Sequence, residues 1–144
     1  MKLRELKTQD PPADLPLLGN DDYTFLWISD YWDGPKSGML LYKGREHWFE
    51  TFREIDEEDS SVKWHRRFAV IPLTVEQLAR EHEVHQDFQH YVGTHWDLSN
   101  PDKERFHPDR PKPIAEHHLF YDKHLQYCRS RPYDDIEVIA WFEQ

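Results

Sequence analysis

The chain has 144 residues, the length of one domain, and carries 28 acidic against 18 basic residues for a formal net charge of -10. That balance argues against general nucleic-acid binding, which needs a basic face to neutralise phosphates. Six Trp, seven Tyr and eight Phe exclude a disordered chain despite a mean hydropathy of -0.94, because disordered sequences lack the aromatics to build a core. The single cysteine, Cys128, excludes an internal disulfide framework and a cysteine-rich zinc module. No apolar run approaches the ~18–20 residues of a membrane helix, and the opening MKLRELKTQDPPADLP has no secretory-type apolar stretch. The expectation is one cytoplasmic domain spanning residues 1–144, with no membrane association.

Residues 1–20 read as an irregular lead-in, charged and then proline-rich, that docks through Leu15, Leu17 and Leu18. Residues 23–29 (YTFLWIS) are dense in aromatic and β-branched side chains at strand length. Tyr31-Trp32-Asp33-Gly34-Pro35-Lys36-Ser37-Gly38 follows with strong turn signals. A second strand over 39–42, a turn at 43–46 and a third strand over 47–52 complete an antiparallel meander. After an acidic connection over 54–61, residues 62–73 read as a fourth strand closed by Pro72. Thr74-Val75-Glu76-Gln77 matches a helix capping box, with Leu73 as a hydrophobic staple. That helix should run to about Val92 and stop at Gly93.

Residues 94–113 hold four prolines and form a long loop. Residues 114–128 have the length of a second helix but a poor apolar period, and 136–142 (IEVIAWF) read as a final strand. The fold class is therefore α+β. It comprises an antiparallel meander of four to five strands, with a barrel-like curl as one form, one main helix and the proline-rich loop.

The 31–38 segment has two readings. As structure it is a wide hairpin, with Gly34 and Gly38 supplying unusual backbone angles and Trp32 covering a core edge. As function it is a binding loop in which Tyr31, Trp32, Asp33 and Ser37 grip a partner. The run 31–38, together with Tyr42-Lys43-Gly44 and Trp48-Phe49, resembles a pattern in small uncharacterised bacterial and phage proteins. There an aromatic-Asp-Gly-Pro-x-Ser-Gly turn precedes a Tyr-x-Gly hairpin and an aromatic strand. The resemblance implies the hairpin and no activity.

Ten histidines invite a metal reading. On the 75–92 helix, Val75, Leu78, Phe88 and Val92 define an apolar stripe that also carries His82 and His85. Histidines three apart can share a metal, with Glu81 assisting and His118 or His124 completing the set. The HExxH spacing is absent, and the plainer reading has these rings covering the sheet rim. No cofactor is expected, with a divalent metal as the alternative.

Cys128 follows His124 by four residues and sits near Arg129 and Arg131, the minimum for a thiol–imidazole pair. A small buried cysteine is the plainer reading. Lys63, Arg66 and Arg67 around Trp64, with Arg105, Arg110 and Lys112, either hold a phosphate or pair with Glu57, Glu58 and Asp59.

Three functions remain. First is a protein-interaction or regulatory module with a basic protein partner, in character like immunity proteins or phage inhibitors by analogy. Second is a His/carboxylate metal-binding domain or hydrolase using His82 and His85. Third is a DNA mimic, weakened by the interleaved basic residues.

Overall fold

A computed structural model of the chain describes residues 1–55, 65–91 and 117–144. The elements in order are α1 (Leu3–Leu6), β1 (Tyr23–Tyr31), β2 (Pro35–Tyr42), β3 (Arg45–Ile55), β4 (His65–Ile71), α2 (Val75–Tyr91), α3 (His117–Ser130) and β5 (Ala140–Glu143). The five strands form one antiparallel sheet in the order β1-β2-β3-β4-β5. The α+β meander expected from the sequence is the fold. The 94–113 loop, the Gly93 stop and the acids at 57–59 lie outside the described residues.

The hairpins form where the turn residues stand. Lys43 (φ 51°) and Gly44 (φ 72°) make the two-residue β2–β3 turn, which needs positive φ at both positions. Thr74 and Gln77 close the capping box as their spacing demands: Thr74 N donates to Gln77 Oε1 at 2.9 Å and Gln77 N to Thr74 Oγ1 at 3.1 Å.

Both faces of the sheet are covered. One face buries Leu40, Phe49, Phe68, Val70 and Phe142. The other buries Met39, Trp48, Ala69 and Ile71 under α1 and the segment carrying Tyr133 and Val138. The alternation in β4 (Phe68 in, Ala69 out, Val70 in, Ile71 out) is the period-2 pattern of a strand with two cores.

The sheet is not closed into a barrel, yet it curls until its outer strands meet through side chains. The Tyr23 ring of β1 lies 4.3 Å from the Phe142 ring of β5, and Gln144 Nε2 donates to Tyr23 Oη at 3.3 Å. The lead-in lies along the free edge of β5: Trp141 N donates to the Pro16 carbonyl at 2.9 Å and Leu18 N to the Trp141 carbonyl at 2.8 Å. An edge that would template foreign strands is thereby occupied from within. Of the three leucines expected to dock, Leu18 is buried and Leu15 packs against the second core, while Leu17 is exposed.

One open stretch is settled and three expectations change. The stretch 114–128, whose apolar period is poor, contributes to the helix α3; its buried described side chain is the polar His124, which an aliphatic period misses. The last strand starts at Ala140; ahead of it, Glu137 pairs with Lys2 and Val138 N donates to the Met1 carbonyl at 2.9 Å. Val75 is exposed, and the buried face of α2 runs instead through Glu81 and Phe88. Gly38 is required for space and not for backbone angle. A Cβ there would stand 2.2 Å from the Trp27 carbonyl oxygen and 2.9 Å from the Phe49 ring.

Gly38→Ala should therefore destabilise the fold by about 2–3 kcal/mol in urea denaturation, since the backbone obstacle cannot rotate away. Gly44→Ala, whose added carbon meets nothing within 4 Å, should cost about 1–2 kcal/mol from its left-handed φ alone. The reverse ranking would refute this account of Gly38.

Candidate functional site

Among the described residues, two places hold side chains in arrangements beyond ordinary packing: the tip of the β1–β2 hairpin, and the junction of β1, α2 and α3.

At the tip, Trp32-Asp33-Gly34 joins the strands, with φ 50° at Asp33 and 127° at Gly34. Aspartate tolerates the left-handed region, and the Gly34 angle belongs to glycine. Arg66, in β4, reaches this turn with a side chain only 2% exposed. Its Nη1 donates to the Gly34 and Pro35 carbonyls at 3.0 and 3.1 Å, its Nη2 to the Trp32 carbonyl, and its Nε to Glu54 Oε1 at 3.1 Å. A guanidinium is the one side chain with a planar fork of five donors, so one residue fixes three carbonyls of the turn, those of Trp32, Gly34 and Pro35. The Trp32 indole stands 72% exposed on this fixed turn. Asp33 is exposed beside it, and Tyr31 packs half-buried against the inner core. Ser37 is buried in β2 opposite Asp30, so the structure gathers three of the four loop candidates at the tip and places the fourth inside the sheet.

The junction is built on a β-bulge. The β1–β2 register slips between Ile28 and Asp30, and the extra residue, Ser29, turns its polar groups toward the helices, the re-aiming that bulges provide. His124 Nε2 donates to the Ser29 carbonyl at 2.7 Å, and Arg131 Nη2 donates to Ser29 Oγ at 2.7 Å. Arg131 also grips Glu81 with two bonds, Nε to Oε1 at 3.0 Å and Nη2 to Oε2 at 3.1 Å. Both side chains are almost wholly buried, at 2% and 1% exposure. Tyr127 and Tyr133 donate their hydroxyls to Glu81 Oε1. The guanidinium lies 4.2 Å from the Trp48 ring centroid and 4.9 Å from that of Tyr127. Burial, followed by the hydrogen bond to Glu81, holds the Tyr133 phenol well above its ordinary pKa.

His82 and His85 straddle the Trp27 indole. His85 stacks on it at 4.3 Å and 8°, His82 meets its edge at 4.9 Å, and His82 Nε2 pairs with Glu46 Oε2 at 2.9 Å. His124 packs against Phe88 at 4.4 Å and lines, with His85 and Trp27, a small cavity beneath α2. His118 belongs to the first turn of α3, and its side chain is outside the described part. Among the described residues no three His, Cys, Asp or Glu side chains converge as metal ligands.

Cys128 Sγ lies 3.4 Å from His124 Nε2 and 3.8 Å from Ser29 Oγ. The Nε2 proton is committed to the Ser29 carbonyl, so that nitrogen has no lone pair with which to take the thiol proton. Burial pushes the Cys128 thiol above its ordinary pKa, which disfavours the nucleophilic thiolate. The pair is packed rather than activated. On the outer side of His124 a groove of ≈ 190 Å³ opens between α2 and α3.

Sequence reasoning reached Tyr31, Trp32 and Asp33 through turn chemistry. It missed the role of Arg66, the Ser29 bulge, and Glu81 as the centre of a buried ion pair. A long polar side chain on the apolar line of α2, with an arginine and two tyrosines in one later stretch, was the available signal. Compared with protein-family models, curated proteins and solved structures, the chain has no match in any of the three.

Arg131→Met should cost about 3–5 kcal/mol in urea denaturation, because it leaves the Glu81 carboxylate buried without its cation. Adding Glu81→Gln should recover part of that loss, since an amide oxygen still accepts from the tyrosines. Strict additivity of the two would refute the pairing.

Burial, with His82 and His124 adding to it, holds His85 down to about 4, against an ordinary value of 6.5. The unfolded chain then binds a proton that the folded chain refuses. The stability from neutral His85 is complete above pH 6.5 and is lost as pH falls toward 4. Tm should fall over that window, and His85→Phe, which keeps a stacked ring without the titration, should flatten the fall. An unchanged slope would exclude this origin.

Proposed function

We propose that the chain is a protein-interaction module that engages a basic partner surface through its β1–β2 hairpin, with Trp32 as the anchor. The observation that supports this reading is an indole 72% exposed on a turn whose carbonyls are held by a buried arginine. Exposed apolar side chains are common on proteins, but a large aromatic on a fixed loop is unusual. It offers wide contact area at little cost in conformational entropy, which is why tryptophan is enriched among residues that dominate binding energy. Tyr31 ahead of Trp32 packs on the core, and the exposed Asp33 follows it in the turn. The formal charge of -10 favours a basic partner by steering encounter more than by adding affinity.

The test is a capture experiment from host lysate with the intact chain, run beside Trp32→Ala and Asp33→Asn at low and high salt. The expected result is a partner held by the wild-type chain and lost with Trp32→Ala, at a cost of about 2 kcal/mol or more in affinity. Asp33→Asn should weaken capture mainly at low salt. Trp32→Ala should leave Tm within about 2 °C, since the ring is mostly outside the core. Equal capture by wild type and Trp32→Ala would overturn the assignment of the hairpin.

A further inference from the structure

We propose that the groove between α2 and α3 is a binding site for a small aromatic carboxylate, a molecule of one ring and one carboxyl group. This site is separate from the hairpin tip.

Each helix contributes a stripe to the groove at one-turn spacing. Arg80, Val84 and Asp87 come from α2, and Phe120, His124 and Tyr127 face them from α3, with Lys123 at the rim. A helix pair usually fills such a seam with interlocking aliphatic side chains. Here Val84 is opposed by two rings and an imidazole, and a space of ≈ 190 Å³ remains. A cavity of about 150 Å³ accepts benzene, and drug-sized ligands occupy pockets from about 300 Å³ upward. The space therefore suits one aromatic ring with a short substituent, seated between Phe120 and Tyr127.

The charge of the rim sets the sign of that substituent. The lining residues include two cations, Arg80 and Lys123, and one anion, Asp87, on a chain whose formal charge is -10. Arg80 is partly engaged already, lying 5.4 Å from the Tyr127 ring centroid and 3.6 Å from Glu83 Oε1. No ion pair among the described residues engages the exposed Lys123, which makes its ammonium the principal partner for a carboxylate. His124 forms the inner wall. Burial lowers its pKa, so at neutral pH it adds no charge, and its Nε2 proton stays with the Ser29 carbonyl. The inner end of the groove thus receives a ring, and the outer end an anion.

Benzoate is the probe, titrated into the intact chain at pH 7 and followed by amide chemical shifts, with benzyl alcohol and benzylamine as matched neutral and cationic controls. Benzoate should give saturable shifts confined to the neighbourhood of residues 80–87 and 120–127, with at least tenfold weaker binding of benzyl alcohol and weaker still of benzylamine. Lys123→Gln, a change at an exposed position, should reduce benzoate affinity several-fold with Tm unchanged. Val84→Trp should fill the groove and abolish binding. Absence of saturable benzoate shifts, shifts centred elsewhere, equal binding of benzylamine, or undiminished affinity in Lys123→Gln would each overturn the proposal.

Discussion

The bond between Glu81 and Arg131 organises the half of the molecule that the sheet alone would leave unsettled. It ties α2 to the end of α3, and through the second Arg131 nitrogen it reaches Ser29 in β1. Two charges removed from water carry a desolvation cost of several kcal/mol each, offset only when the geometry is good and the remaining lone pairs are used. Here the carboxylate accepts two guanidinium bonds and two tyrosine hydroxyls, and the guanidinium is stacked against Trp48. Such a pair adds little net stability compared with a well-packed apolar core. Its contribution is register: helices that slide by a turn lose every one of these bonds at once, whereas apolar surfaces tolerate small slips.

The same device appears a few residues further on, in the turn that follows β1. Arg66 is buried among backbone carbonyls of the turn and balanced by Glu54. Two buried arginines therefore act in succession at the C-terminal end of the strand, one fixing its bulge and one fixing the hairpin it leads into. The slip at Ser29 and the turn beyond Tyr31 are held by charge-assisted bonds, and the rest of β1 is held by the ladder to β2. This division explains how a strand with register slips can still present a loop in a single conformation.

What could be read from the sequence follows from which interactions are local. Turns and caps involve neighbours: Lys43-Gly44, Asp33-Gly34 and the Thr74/Gln77 box each announce themselves within four residues. The strands over residues 23–52 were legible because aromatic and β-branched side chains mark a pleated surface wherever it packs. Buried charge is different in kind. Glu81, Arg66 and Arg131 look like solvated residues until a partner tens of residues away is placed against them, and a count of apolar positions scores them as surface. For the same reason the apolar stripe on α2 was drawn through Val75, which is exposed, and missed the line through Glu81. Gly38 was legible as unusual but for the wrong cause, because the carbonyl that crowds it belongs to the neighbouring strand.

The meeting of Tyr23 and Phe142 has a consequence for the way the chain comes together. The hydrogen bond that accompanies it joins residues 121 positions apart, so the inner core cannot be sealed by any local hairpin. Contacts of such long sequence separation form late, after the entropy of a large loop has been lost. During synthesis the first three strands emerge with Phe25, Leu40 and Phe49 facing an empty concavity, and Phe142, which fills it, follows all four other strands in chain order. Until then the chain has an open, greasy trough, the state most prone to self-association and most in need of a chaperone.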